Sequence, residues 1–229
     1  MRISLLTLPL YFLSTCVFST SYAGGVQIGR TRIIYDANKK EVALPLVNKE
    51  KEVPWLIQSW IDTGDGTTRG PFIVTPPLFR LDPQKEQSLR IAWSGASVAQ
   101  DRESLFYMNV RTIPATAKED QDKNMLRLIF KTRLKLFYRP KDLPETPLDT
   151  CKNLAFSIDA QRLHITNAGS YYSVFDSLLL GNSRVDADMV GPKSSIDITL
   201  PTSHNGKTVS WRCITDYGNA SEKFSTDLR

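Results

Sequence analysis

Residues 124–140, NMLRLIFKTRLKLFYRP, alternate with a period of two. Leu126, Leu128, Phe130, Leu134 and Leu136 form an apolar row interrupted by Thr132, and Arg127, Lys131, Arg133 and Lys135 lie between them. Successive side chains of a strand point to opposite faces, so this pattern specifies a strand with one apolar and one basic face. It is long for a globular protein, where strands of about 5–6 residues prevail. The segment therefore commits the chain to a half-buried sheet and asks what the surplus length covers.

The surrounding chain agrees with a sheet fold. VQIGRTRIIYD, EVALPLVN, PWLIQSWI, QSLRIAW and ESLFYMNVRTI are rich in β-branched and aromatic residues and are separated by clusters such as TGDGTTRGP. The Gly64–Gly66 triplet GDG reads as a turn. No segment carries a sustained helical period with caps at both ends. Three prolines then fall within RPKDLPETPLD, which reads as a stiff linker. A second strand-rich set follows, with NLAFSID, RLHITN, YYSVFDSLLL, SIDITL and KTVSWRCI. The expectation is an all-β chain of two β-sandwich domains, divided as 24–141 and 148–229 with a linker over 142–147.

The first 23 residues stand apart. They carry Arg2, an apolar stretch broken by Pro9, and end in Ser21-Tyr22-Ala23, the form of a secretory signal cleaved after Ala23. Ser4, Thr7, Ser14 and Thr15 make the stretch too polar for a membrane anchor. No later run is long enough to span a bilayer, so the mature chain is expected to be exported and soluble. Removing the signal lowers the formal charge from +5 to +4 and leaves Cys151 and Cys213. In an oxidising compartment such a pair usually forms a disulfide; two buried thiols are the alternative. Mixed charges along the chain read as a solvated surface rather than a nucleic-acid footprint.

Residue types for catalysis are sparse. His164 falls inside an alternating strand and His204 in the turn-like PTSHNGK, neither with a second ligand at metal spacing. The chain has no nucleophile elbow, phosphate loop or dinucleotide fingerprint. No enzyme activity, metal or cofactor is expected. Asn219-Ala220-Ser221 is a formal glycosylation triplet, relevant only in a eukaryotic secretory pathway.

AQDRESLFYMNVRTIP, residues 99–114, resembles the signature of the PapD-like periplasmic pilus chaperones. RTRIIYD, VTPPLFRLDP, KLFYRP and TDYG are similar to further motifs of that family, in family order, dense in the first half and sparse in the second. The resemblance implies two immunoglobulin-like sandwiches set at an angle around a cleft. It implies a function as well: a chaperone that lends a strand to incomplete pilus subunits and passes them to an outer-membrane usher without nucleotide.

On this resemblance residues 124–140 contain the lent strand. Leu126, Leu128 and Phe130 would enter the subunit's groove, contributing about 1.5–3 kcal/mol each as an upper bound. Arg32 and Lys135 match the cations that hold the subunit's C-terminal carboxylate, one as a fork and one as a point charge. Lys135 lies nine positions from Leu126, so this anchor is about 30 Å from the far pocket. Fixing the carboxylate would fix the register, which a one-residue slip would invert. Strict alternation places Lys135 opposite the apolar row, so a twist or bulge is expected to bring it to the cleft. Glu103, Arg139 and Asp216 match an inter-domain charge network. The short polar stretch ATAKEDQDK matches the short-loop class, which serves rod-forming pili.

The expected partners are pilus subunits, an usher and, because a free apolar edge invites pairing, a second copy of the chain when no subunit is bound. Nucleic acid and an integral membrane segment are not expected. A secreted two-domain adhesin or lectin-like module is the alternative reading, and it gives Arg32 and Lys135 no joint role.

Overall fold

A computed structural model of the chain describes residues 24–115, 126, 128–200 and 206–228. The expected signal segment, the loop residues 116–123, Arg127 and His204 lie outside the described residues.

The first half forms two facing sheets. One has the order β1 (Val26–Ile28), β3 (Glu41–Asn48), β7 (Glu86–Trp93) and β5 (Phe72–Thr75). The other has the order β2 (Arg32–Asp36), β9 (Phe130–Arg139), β8 (Ser104–Pro114), β4 (Trp55–Asp62) and β6 (Leu78–Leu81). Alternate residues of each sheet turn inward and meet in one core, with Ile33, Leu44, Leu46, Ile57, Leu89, Ile91, Met108 and Leu136 fully enclosed. Within the second sheet, Met108 faces Leu134 and Phe106 faces Leu136 across the β8–β9 ladder, so the apolar rows of the two strands coincide.

The opening segment serves both sheets. β1 pairs with β3 as far as Ile28–Leu46, after which the chain crosses at Gly29–Thr31 and continues as β2 in the opposite sheet. Pro45, which has no N–H to give a ladder, sits just past the last β1 pairing, and its carbonyl accepts from Gly29 N at 2.9 Å. A Cβ at Gly29 would come within 2.7 Å of the Pro45 ring, so the crossover needs glycine there.

The second half repeats the sandwich plan. A three-stranded sheet, β10 (Ala155–Asp159), β11 (Arg162–Asn167) and β15 (Ser194–Thr199), faces a sheet ordered β13 (Ser183–Arg184), β12 (Ser173–Leu180), β16 (Thr208–Cys213) and β17 (Phe224–Asp227). The short β14 (Met189–Val190) pairs with β12. Leu163, Ile165, Leu178, Leu180, Val209 and Trp211 form its core. The described chain is nearly all β and divides into two sandwiches, which is the fold class the strand pattern predicts.

One element departs from expectation. The proline-rich linker ends in a short helix, α1 (Pro147–Lys152), where no helix was expected. Thr146 accepts from Asp149 N while the Asp149 carboxylate accepts from Thr146 N, a capping box, and Pro147 occupies the first turn, where its missing N–H costs nothing. Six residues are too few to display a period, so the only sequence signal was the cap itself, Thr146-Pro147-Leu148-Asp149. A disulfide joins Cys151 of α1 to Cys213 at the end of β16, with 6.4 Å between Cα atoms.

Candidate functional site

β2 and β9 run parallel, with Arg32 opposite Lys135, Ile34 opposite Phe137 and Asp36 opposite Arg139. Ile33, Tyr35, Leu134, Leu136 and Tyr138 of these strands enter the core. Arg32, Ile34, Lys135, Phe137 and Arg139 therefore occupy the other face, which the second sandwich abuts: Phe137 lies 5.5 Å from the Tyr172 ring. The expected twist or bulge at Lys135 is absent. The β8–β9 register is unbroken from Thr112–Phe130 to Ser104–Tyr138. No correction of phase is needed, because the cleft lies on the face opposite the apolar row.

Arg139 ties the two sandwiches together. Its Nε donates to Glu103 Oε1 at 2.9 Å, and Nη1 and Nη2 donate to the two carboxylate oxygens of Asp216 at 2.8 and 2.9 Å. The guanidinium also lies 5.0 Å from the Tyr171 ring. Glu103 Oε2 accepts from Tyr172 N at 2.9 Å, so this carboxylate bridges the strand cation and the second sandwich. Burial pushes the Glu103 carboxyl above its ordinary range, against the pull of Arg139 and the Tyr172 amide. Burial works against the Arg139 charge too, but the Asp216 and Glu103 carboxylates outweigh it and raise that group. The three residues named from sequence are thus in direct contact.

Arg32 and Lys135 are neighbours with different surroundings. Arg32 is 9% exposed; Nη1 donates to Ile214 O at 3.1 Å, and Nε is buried without a hydrogen-bond partner among the described residues. Burial lowers its proton affinity despite nearby Asp216, Glu103 and Asp188. Lys135 Nζ donates to Asp188 Oδ1 at 2.5 Å, across to the second sandwich. A cavity of about 270 Å³ beside Arg32 is lined by Ile34, Phe137, Leu148, Tyr172 and Ile214 among others. Asp188, Tyr172 and Ile214 were missed from sequence. Asp188 is 53 positions from Lys135 and sits in an irregular segment between β13 and β14, so no local pattern could have linked them.

β2 contacts β9 only over Lys135–Arg139. Over Phe130–Leu134 the strand pairs with β8 on one side and with no described strand on the other. Leu126, Leu128 and Phe130 are 87%, 56% and 53% exposed, whereas Leu134 is 7% exposed. Ile129, on the other row, is 58% exposed and was not singled out from sequence. The basic row is not idle. Arg111 and Lys131 each lie 5.3 Å from the Trp60 ring, and Arg133 lies 3.8 Å from the Tyr107 ring while donating to the buried Asp62 at 2.8 Å.

Of the remaining polar candidates, His164 is a strand residue whose Nδ1 is 2.6 Å from Asp197, its partner across the β11–β15 ladder. Among the described residues, no group of three His, Cys, Asp or Glu side chains could hold a metal ion, and no helix is long and apolar enough to cross a membrane.

The two sandwiches are thus joined by the Arg139 ion pairs and flank an open strand edge with exposed apolar side chains beside it. The chain matches the family model of the pili and flagellar-assembly chaperone PapD N-terminal domain over residues 25–144 and that of the pili assembly chaperone PapD C-terminal domain over residues 149–225. It belongs to the PapD-like pilus-assembly chaperone family. It is 39% identical over 210 residues to the chaperone protein LpfB of Salmonella typhimurium, covering 90% of each chain. It is 36% identical over 218 residues to the probable fimbrial chaperone LpfB of Escherichia coli O157:H7, covering 94% of each. In the solved complex of the Salmonella enterica SafA pilin with the SafB chaperone, the matched chain superposes with a TM-score of 0.82 at 30% identity, covering 91% of this chain and 98% of that one.

Proposed function

We propose that this chain holds pilus subunits by lending them β9. The observation that carries this reading is the half-paired strand. Phe130–Leu134 offers main-chain groups on one side, and Leu126 and Leu128 just before β9 and Phe130 at its start stand exposed, whereas Leu134 and Leu136 further along are buried. An incoming strand would gain ladder hydrogen bonds from the edge and insert these side chains into its own groove. Arg32 and Lys135 stand where β2 begins and its pairing with β9 stops, so a C-terminal carboxylate bound there starts the new strand in a fixed register. The Glu103–Arg139–Asp216 contacts would then keep the second sandwich at the angle that shapes the cleft.

Family membership and the sequence pattern support the rest of the reading. The chain acts in the periplasm after removal of residues 1–23, passes its cargo to an outer-membrane usher, and uses no cofactor. Its first domain runs over 24–141 and its second over 148–229. When empty it shields the open edge, by pairing with a second copy or by its own loop.

The test is a periplasmic pull-down of the tagged mature chain expressed with candidate subunits, read by native mass spectrometry against Arg32→Ala and Lys135→Ala. One subunit per wild-type chain, with folded but empty variants, is the expected result. Variants that hold a subunit as well as wild type would remove the anchor assignment. A wild-type chain that holds none of them would favour the adhesin reading.

A further inference from the structure

The Asp188 carboxylate stands within hydrogen-bonding distance of the cation assigned above to the subunit's terminus. We propose that Asp188 is a built-in placeholder for that terminal carboxylate: it occupies Lys135 in the empty chain and must leave for cargo to seat. The inference rests on the anchor reading of Arg32 and Lys135.

The two cations are in unequal states. Lys135 is satisfied by Asp188, with its side chain 21% exposed. Among the described residues, Arg32 has a buried Nε without an acceptor and a main-chain carbonyl on Nη1. An arriving carboxylate therefore exchanges one anion for another at Lys135 and makes its new gain at Arg32. Asp188 suits a displaceable ligand. Its side chain is 68% exposed, so it returns to water at little cost when released. Its main chain is held independently, since its carbonyl accepts from Phe175 N at 2.9 Å, so the carboxylate stays beside the site after displacement. A carboxylate waiting next to Lys135 also supplies the replacement partner when cargo departs, which matters to a protein that must give its cargo up.

The contact has two consequences for affinity, both of the same sign. Asp188 competes for the ammonium group, and its negative charge repels the arriving carboxylate. Removing the charge with Asp188→Asn should strengthen carboxylate binding by about two- to fivefold, the range of an exposed ion pair. The side chain is exposed, so the variant should fold as wild type does.

The experiment titrates the isotope-labelled mature chain with N-acetylglycine, a minimal terminal carboxylate, and with N-acetylglycinamide, its neutral counterpart, following the Arg32 Nε–H resonance. The acid should shift that resonance in wild type and bind about two- to fivefold tighter to Asp188→Asn. The amide should not respond to the substitution. The gain should vanish when Asp188→Asn is placed on Lys135→Ala. Unchanged or weaker acid binding in Asp188→Asn overturns the placeholder while leaving the anchor in place. A gain that persists without Lys135 reduces Asp188 to a general repulsive charge and overturns it as well. If acid and amide behave alike in both proteins, the anchor reading itself falls and the placeholder with it.

Discussion

Arg139 and Asp216 meet through two parallel hydrogen bonds of 2.8 and 2.9 Å, joining the last residue of β9 to the turn after β16. The same guanidinium covers Glu103, whose side chain is 3% exposed. Arg139→Ala should therefore act twice, releasing the second sandwich and stranding a buried carboxylate. The expected loss is up to about 3–5 kcal/mol in denaturant unfolding, with a broader distance distribution in small-angle scattering. An unchanged scattering profile would mean that packing at Phe137 and Tyr172, not the charges, sets the domain angle.

Glu103 gives the hinge a pH dependence of definite sign. Its folded-state proton affinity is raised by burial above the ordinary value of 4.5, so the folded chain holds this proton more tightly than the unfolded one. The group's contribution to stability is fully present below pH 4.5 and is lost as pH rises through the higher folded-state midpoint. A carbon-detected titration of the Glu103 carboxyl should show a midpoint above 4.5 in wild type and a higher one in Arg139→Ala. A wild-type midpoint at or below 4.5 would show that Arg139 and the Tyr172 amide outweigh burial.

The segment leading into β9 and the buried part of the strand should separate binding from stability. Leu128 is 56% exposed, so Leu128→Asp should change stability by no more than about 0.5 kcal/mol while removing subunit capture. Leu136 is fully buried, and Leu136→Ala should cost about 2–5 kcal/mol. Thermal unfolding alongside the pull-down distinguishes them. Retained capture in Leu128→Asp would exclude the outer row from the subunit contact.

The Cys151–Cys213 disulfide closes a separation of 62 residues, for which chain entropy gives about 4 kcal/mol. Replacing both cysteines with serine should lower the unfolding temperature of the second sandwich and leave the first unaffected. The same bond holds α1 where the Cys151 carbonyl accepts from Trp211 Nε1 at 2.9 Å, so Trp211 fluorescence reports the loss directly. No change in that transition would mean that packing around Trp211 alone fixes α1.

Alternation and turn chemistry are properties of neighbouring residues, and they were legible. The period-two rows and the Gly, Asp and Pro clusters specified strands and a two-sandwich, all-β chain. The resemblance to family motifs brought attention to Glu103, Arg139 and Asp216, although nothing local says that a guanidinium at 139 meets carboxylates 36 and 77 positions away. Alternation placed Lys135 opposite the apolar row, as the structure has it, but the expected twist or bulge is absent, because alternation tells which residues share a side and not which side meets another domain. α1 was missed because a helix of six residues has no period to detect. Three things were decided by tertiary structure alone: β2 begins at Arg32, so its pairing with β9 stops at Lys135 and leaves Phe130–Leu134 open; the buried Arg32 Nε meets no acceptor among the described residues; and Asp188 reaches Lys135. Each depends on how one packed unit is placed against another. That placement is set by the summed contacts of many distant residues, so no short stretch of sequence encodes it.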